Sequence, residues 1–434
     1  MTRLREVICL KQRVPLLIVS LFVLLLAGCA SVQAPAQDAP APRAEPVQTA
    51  APEDVPEEPP EPDAPPDPAE VQEPEPPAPT VAALAVCGDA MSHMPITNDA
   101  WNGEKYDYLR IMNGAKKYVE AADYAVVNLE TTLAGGPNYS GYPAFHSPDD
   151  MAYDLKEMGF DLCLTANNHS LDTGWKGLSR TLDTLDEVGL AHVGTSRSQE
   201  EQDYNLWIAD VGGISVAFLG YAYGTNGIPV PKDHPYCINL FNTDYLSDLR
   251  TLDKERLATG LAQAEEANTD LVAVMIHWGV EYQTKQNEYQ IEIADFLFEN
   301  GADIILGGHS HVPQPMETRT LPDGRTGFVC YSLGNFISSQ NDEYTDTTAV
   351  LTLELTRDNV TGEAQVTGYS YAPMYMLDRE AGASPRFELL DVYDTLENGS
   401  PSDSLAKRLH KAVEDCHKIF GAVGDPKAEM ESTQ

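Results

Sequence analysis

Five short apolar runs in this chain stop at a residue that binds metal ions or moves protons. Val81–Cys87 runs into Gly88-Asp89, with His93 close behind. Tyr124–Leu129 runs into Glu130, and Phe160–Thr165 into Asn168-His169. Leu271–Ile276 stops at His277, and Asp303–Leu306 at Gly307-Gly308-His309-Ser310-His311. Short apolar runs of this kind read as strands. In open α/β sheets, ligands collect beyond the carboxyl ends of the strands. Five strands ending together would gather these side chains in one cleft.

The spacing between the runs is helical over Tyr106–Ala121, Asp149–Met158, Gly177–Val188, Lys254–Ala267 and Tyr289–Glu299. Leu206–Ile208 and Ile214–Tyr221 predict a hairpin about Gly212-Gly213. Phe328–Ser332, Thr348–Leu355 and Gln365–Tyr371 follow as strands with no helix between them. An α/β first part and a β-rich last part predict two packed sheets rather than one doubly wound sheet. Leu405–Ile419 is expected to be helical, after a loop around 398–404.

The amino-terminal 80 residues have a different character. Arg3, Arg5, Lys11 and Arg13 precede an apolar run, Val14 to Ala27, which ends in Gly28-Cys29. A basic start, a short apolar run and small residues before a cleavage point make a secretory signal, too short to span a bilayer comfortably. The end of the run resembles a bacterial lipobox, which implies cleavage before Cys29 and lipid on its sulfur. Between Pro35 and Pro79 stand sixteen prolines, twelve acids and one base. Such a segment buries no core and is expected to be an extended, self-repelling spacer. The expected division is therefore a signal at 1–28, a disordered linker at 29–80, a folded domain at 81–376 and a partly helical extension at 377–434. The expected location is the outer side of the cell membrane, held by the lipid.

Charge and cysteine content narrow the chemistry. Lys plus Arg is 28 against 67 Asp plus Glu, a net charge of −39, which excludes a general nucleic-acid binder. Cys87, Cys163, Cys237, Cys330 and Cys416 match no zinc spacing. The first, second and fourth sit in apolar runs and read as core residues. The strand-end set of carboxylates, imidazoles and an amide oxygen suits Mn, Zn or Fe rather than thiolate chemistry. Two divalent ions bridged by a carboxylate would polarise a phosphoryl group and generate hydroxide near neutral pH. Taken singly, a Gly-Asp is most often a turn and a lone His a structural residue; the ordered combination carries the reading.

Six blocks in order sharpen it: Gly88-Asp89; Asn128-Leu129-Glu130; Ala166-Asn167-Asn168-His169-x-x-Asp172-x-Gly174; His277-Trp278-Gly279-x-Glu281-Tyr282; Gly308-His309-Ser310-His311; and Ser332-Leu333-Gly334-Asn335-Phe336. Together they resemble the CapA family of poly-γ-glutamate capsule synthesis proteins, from about Val81 to Phe336. That family in turn resembles the calcineurin-like metallophosphoesterases, which implies a four-layer α-β-β-α sandwich. The resemblance implies that Asp89 and His311 hold one metal, that Asn168, His277 and His309 hold the other, and that Glu130 bridges them. It makes His169 the general acid. His93 is a further candidate ligand, at a spacing of Asp89-x-x-x-His93 where the phosphoesterases have Asp-x-His. Glu281 and Tyr282 are candidates to line the cleft, His146 to face an anionic substrate and Asn335 to support a ligand from behind. The segment Tyr223 to Gly227 reads as a loop over the cleft.

Two functions fit these residues. One is an extracytoplasmic metal-dependent hydrolase of a phosphoester or of a bond in a surface polymer. The other is an anchored accessory that binds or guides an anionic polymer such as poly-γ-glutamate, with little turnover. Either would work beside membrane proteins of capsule synthesis.

Overall fold

The computed structural model of the chain describes residues 76–204 and 206–428. The expected leader, Cys29 and nearly all of the linker lie outside those residues.

The amino-terminal half runs β1 (Thr80–Ala90), α1 (Met94–Ala100), α2 (Leu109–Met112), α3 (Lys116–Ala121), β2 (Tyr124–Leu129), α4 (Asp150–Met158), β3 (Leu162–Leu164), α5 (Gly174–Val188) and β4 (Ala191–Val193). It continues through α6 (Gln199–Asp203), β5 (Trp207–Val211), β6 (Ile214–Ala222), α7 (Lys254–Glu266), β7 (Leu271–His277), α8 (Glu288–Glu299) and β8 (Ile304–Gly308). The last part is β9 (Pro313–Thr320), β10 (Thr326–Leu333), β11 (Asn335–Ile337), β12 (Thr347–Arg357), β13 (Ala364–Asp378), β14 (Phe387–Asp391), α9 (Val392–Glu397) and α10 (Asp403–Phe420).

These strands form the two expected sheets. The first has the order β14-β13-β12-β1-β2-β3-β4, with β11 pairing β1, and the second β5-β6-β7-β8-β10-β9. Strands β1 to β4 are mutually parallel, and β12 lies antiparallel to β1. In the second sheet β6, β7, β8 and β10 are parallel, flanked by antiparallel β5 and β9. The sheets face each other through β1 against β5, β6, β8 and β10. Helices α3 and α5 lie on the first sheet, and α7 and α8 on the second, so the layers read α-β-β-α as expected.

The side-chain period of the strands explains why both faces are covered. Along β6, Val216 and Phe218 join the core between the sheets, while Ala217, Leu219 and Tyr221 join the core under α7 and α8. Along β7, Leu271, Ala273 and Met275 alternate in the same way with Val272, Val274 and Ile276. Successive side chains point to opposite faces, so an unbroken apolar run serves both layers. Helix α8 answers with Ile293, Ala294, Leu297 and Phe298 and is started by an Asn287–Gln290 capping box. The predicted hairpin is present as β5 and β6. Cys87, Cys163, Cys237, Cys330 and Cys416 are all buried and free. Among the described residues, no helix is long and apolar enough to cross a membrane.

Four expectations change. The helix over Tyr106–Ala121 is broken into α2, a 3-10 turn at Asn113–Ala115, and α3. Its Gly114 lies against β14, where a Cβ would fall 2.1 Å from the Leu389 carbonyl oxygen, so packing outweighs helical continuity. Strand β9 was not expected, because Pro-Gln-Pro-Met-Glu-Thr-Arg-Thr is polar and carries two prolines; it is an edge strand, where proline is tolerated. Strand β13 runs past 376 to Asp378, and β14 pairs with it. Helix α10 then packs on β9, β12 and β13, so residues beyond 376 complete the first sheet and its cover rather than trailing from it.

Candidate metal centre

The sequence-picked strand ends do converge. The first sheet supplies Asp89 at the end of β1, Glu130 just after β2, Asn168 and His169 after β3, and Asn335 at the start of β11. The second supplies His277 at the end of β7, and His309 and His311 after β8. The cleft is thus a seam between sheets. Asp89, Glu130 and His277 are wholly buried, and Asn168, His169, His309 and His311 nearly so.

Backbone geometry aims these groups. His309 has φ +94° and His311 φ +59°, both left-handed. Such conformations are costly outside glycine and collect at functional sites. The His309 amide donates to Asp89 Oδ2 at 3.0 Å, which pins the strained loop to the opposite sheet. Gly308 permits that approach, since a Cβ there would stand 2.5 Å from Asp89 Oδ1.

The contacts are short and continuous. His277 Nε2 lies 2.8 Å from Asn168 Oδ1 and 3.5 Å from Glu130 Oε1. His169 Nε2 is 4.0 Å from the same Glu130 oxygen, and His311 Nδ1 is 3.7 Å from Asp89 Oδ2. The His277 and His309 rings are 4.8 Å apart, with Tyr223 tilted 4.4 Å from His309. Ligand atoms of Glu130, His309 and His311 lie within 4.8 Å of one another, and so do those of Asp89, Glu130 and His277. Both groups contain Glu130. They pair the histidines differently from the division the resemblance implies, although the Asp89–His311 and Asn168–His277 contacts that division needs are also present.

Burial governs the charges. It raises the Asp89 carboxyl to about 7, with Glu130 adding repulsion, and it raises Glu130 to about 8. It lowers His277 to about 4 and His311 to about 3, and pushes His309 well down. The imidazoles are therefore held neutral, the form that ligates metal. Glu130 Oε1 and His309 Nδ1 are buried without a hydrogen-bond partner among the described residues. An unpaired buried polar atom costs on the order of 1–3 kcal/mol. Cations held by this cluster would give such atoms a partner and restore the carboxylates to their charged form, so the donor set fits divalent ions.

Around this centre the remaining candidates take distinct places. Asn335 Oδ1 sits 3.2 Å from His311 Nδ1, supporting that ring from behind. Glu281 is 44 % exposed, 4.0 Å from His311 Nε2, at the mouth. His93 stands edge-on to Phe145 at 4.9 Å, outside both ligand groups. His146 Nδ1 bonds the Asn138 carbonyl in a neighbouring loop at 2.9 Å. His169 packs against the edge of Phe145 at 4.7 Å, and its Nδ1 meets Asp172 Oδ2 at 2.7 Å. Burial pulls its pKa down, but Asp172 and Glu130 more than reverse that, and the net shift is upward.

Three participants were not assigned roles from sequence. Asn128 Nδ2 donates to Asp89 Oδ1 at 2.7 Å and lies 3.2 Å from His277 Nδ1, linking the sheets. Asp172 holds His169. Asn226, in the anticipated loop over the cleft, reaches Asn168 and His169. Asn128 and Asp172 stand in the six blocks and Asn226 in the Tyr223–Gly227 loop, but which partner each meets across the cleft was not visible.

Residues 83–340 match the family described as bacterial capsule synthesis protein PGA_cap. The chain is 31% identical over 250 residues to the capsule biosynthesis protein CapA of Bacillus anthracis, covering 56% of this chain and 57% of that one. It is 30% identical over 259 residues to the PGA biosynthesis protein CapA of Bacillus subtilis, covering 58% and 63%. It thus spans about three fifths of the length of these relatives. It is 24% identical over 204 residues to a probable polyglutamine synthesis accessory protein of Mycobacterium tuberculosis, covering 45% and 52%. A solved structure described as a novel phosphatase from Mycoplasma pneumoniae superposes with a TM-score of 0.40 at 14% identity, over 69% of this chain and 95% of that one, a likeness too slight to bear on function.

Proposed function

The chain belongs to the bacterial capsule synthesis protein PGA_cap family, and from that membership we propose that it serves the synthesis or export of an anionic surface polymer such as poly-γ-glutamate, with a two-metal hydrolytic site in its cleft. In this proposal Cys29 carries the lipid, the linker spaces the domain from the membrane, and membrane proteins of capsule synthesis are its partners.

The observation that carries the site is Glu130, shared by two overlapping ligand groups, with its Oε1 and His309 Nδ1 both buried and unpaired. Glu130 would bridge, and Asp89, Asn168, His277, His309 and His311 would complete the two shells. Bound there, two Mn, Zn or Fe ions would act as Lewis acids toward a phosphoryl or carbonyl oxygen. In its charged form His169 would deliver its Nε2 proton to the leaving group while Asp172 holds Nδ1–H. The buried edge of Phe145 keeps that imidazole in place and away from bulk water.

Metal content by inductively coupled plasma mass spectrometry, on wild type beside His309→Ala/His311→Ala, tests the site. About two ions per chain, lost in the double variant, is the expected result. No stoichiometric metal after each ion has been offered would sink the hydrolytic mechanism and leave a metal-free binding or scaffolding role. For the anchor, labelled palmitate should enter wild type but not Cys29→Ala; equal labelling would overturn it.

A further inference from the structure

Asn226 lies in the turn after β6, on the second sheet, yet its side chain ends on two residues of the first. Its Oδ1 accepts from Asn168 Nδ2 at 3.0 Å, and its Nδ2 lies 3.5 Å from His169 Nε2. The backbone is set for this, with φ +50° at Asn226, a left-handed conformation that Asn adopts more readily than most residues. Backbone bonds help hold the turn: the Tyr223 amide donates to the His277 carbonyl at 3.0 Å, and the Ile228 amide to the Thr225 carbonyl at 2.9 Å.

A carboxamide or a neutral imidazole offers a donor at one end and an acceptor at the other, so a row of them has a direction. Asp172 sets that direction here. A carboxylate only accepts, so the hydrogen of neutral His169 sits on Nδ1, 2.7 Å from Asp172 Oδ2. His169 Nε2 is then an acceptor and takes Asn226 Nδ2–H. That leaves Asn226 Oδ1 to accept from Asn168 Nδ2. Asn168 Oδ1 is left facing His277 Nε2 at 2.8 Å, inside the ligand cluster. Were any link reversed, Asn168 would turn its NH2 toward the cluster, and an amide NH2 does not bind a cation.

We infer that Asn226 is a positioning residue that fixes which end of the Asn168 carboxamide faces the metal centre, and ties that choice to the tautomer of His169. The inference rests on the two-metal reading above. It adds that a residue contacting no ion, on the opposite sheet from the ligand it orients, decides that ligand's competence.

The test uses the full chain with Asn226→Ala and Asn226→Asp. Asn226 is exposed, and Asn226→Asp still accepts from Asn168 Nδ2 while losing the donor to His169. Affinities for Mn and Zn are measured by competition with a chromophoric chelator. The His169 tautomer is read from long-range 1H–15N correlations on the metal-free protein, assigned by their loss in His169→Gln. Asn226→Ala should weaken one of the two ions by about 10–100-fold, the usual effect of removing a residue that orients a ligand. Asn226→Asp should weaken it less than Asn226→Ala does, and wild-type His169 should carry its hydrogen on Nδ1. Unchanged affinity for both ions in Asn226→Ala, or a wild-type hydrogen on Nε2, would overturn the inference. Wild type that binds no metal would instead overturn the two-metal reading, and the tautomer would still decide the hydrogen-bond chain.

Discussion

Raising the pH from 6.5 to 8.5 should destabilise the metal-free protein. Asp89 and Glu130 are wholly buried, with carboxyls raised to about 7 and about 8. In an unfolded chain they titrate near their ordinary values of 3.8 and 4.5. Between those limits the folded protein holds protons that the unfolded chain has lost, so stability falls as pH rises and levels off above the folded values. At 1.36 kcal/mol per unit, the part between pH 6.5 and 8.5 comes to about 1 kcal/mol for Asp89 and about 2 kcal/mol for Glu130. His169, shifted upward, loses stability in the same direction. His277 and His311 act on the other side. Their lowered values give stability that is full above 6.5 and lost as pH falls toward about 4 and about 3. Between about pH 4.5 and 6.5 the two carboxyls and the two imidazoles therefore offset each other, and above pH 6.5 the carboxyls alone should lower stability of the metal-free protein by about 3 kcal/mol toward pH 8.5. Urea unfolding of chelator-stripped protein at pH 6.5, 7.5 and 8.5, beside Asp89→Asn/Glu130→Gln, measures it. A wild-type profile that is flat or rising, or an equal slope in the double variant, would refute the assignment of the drop to these two carboxyls.

Other perturbations probe the frame of the centre. Gly308→Ala places a Cβ 2.5 Å from Asp89 Oδ1, so it should destabilise by about 1–3 kcal/mol and lower metal content; unchanged melting and metal content would show that the approach is not tight. Phe145→Ala removes a wholly buried ring wedged between His93 and His169 and should cost about 3–5 kcal/mol in urea titration. Asp425 is fully buried and accepts from Tyr393 Oη, from His417 Nε2 at 2.7 Å and from the Lys427 amide at 2.9 Å. Asp425→Ala should therefore destabilise by about 2–3 kcal/mol, and a chain cut after Met376 should fail to fold. A stable truncated domain would show that β14 and α10 are dispensable.

The parallel strands were legible because a strand covered on both faces is apolar at every position, as in Leu271–Ile276. The ends of those runs named the centre for the same reason: a polar residue that closes such a run must be paired or put to use. Strands β9 and β14 were not legible, since an edge strand needs apolar residues on one face only and tolerates proline. The break at Gly114 depends on Leu389, 275 positions further along the chain, which no local pattern reports. Asn128, Asp172 and Asn226 show the same limit within the site. Their identities suit any turn, and their meaning comes from the atom each meets across the seam.

The central strand β1 begins at Thr80 and delivers Asp89 to the cleft nine positions later, about 30 Å away at ~3.3 Å per residue. Anything that pulls on the chain ahead of Thr80 therefore pulls from the end of the domain remote from the cleft. The load enters along β1, which is hydrogen-bonded to β2 on one side and to β12 on the other. That geometry loads the flanking ladders in shear rather than peeling an edge strand.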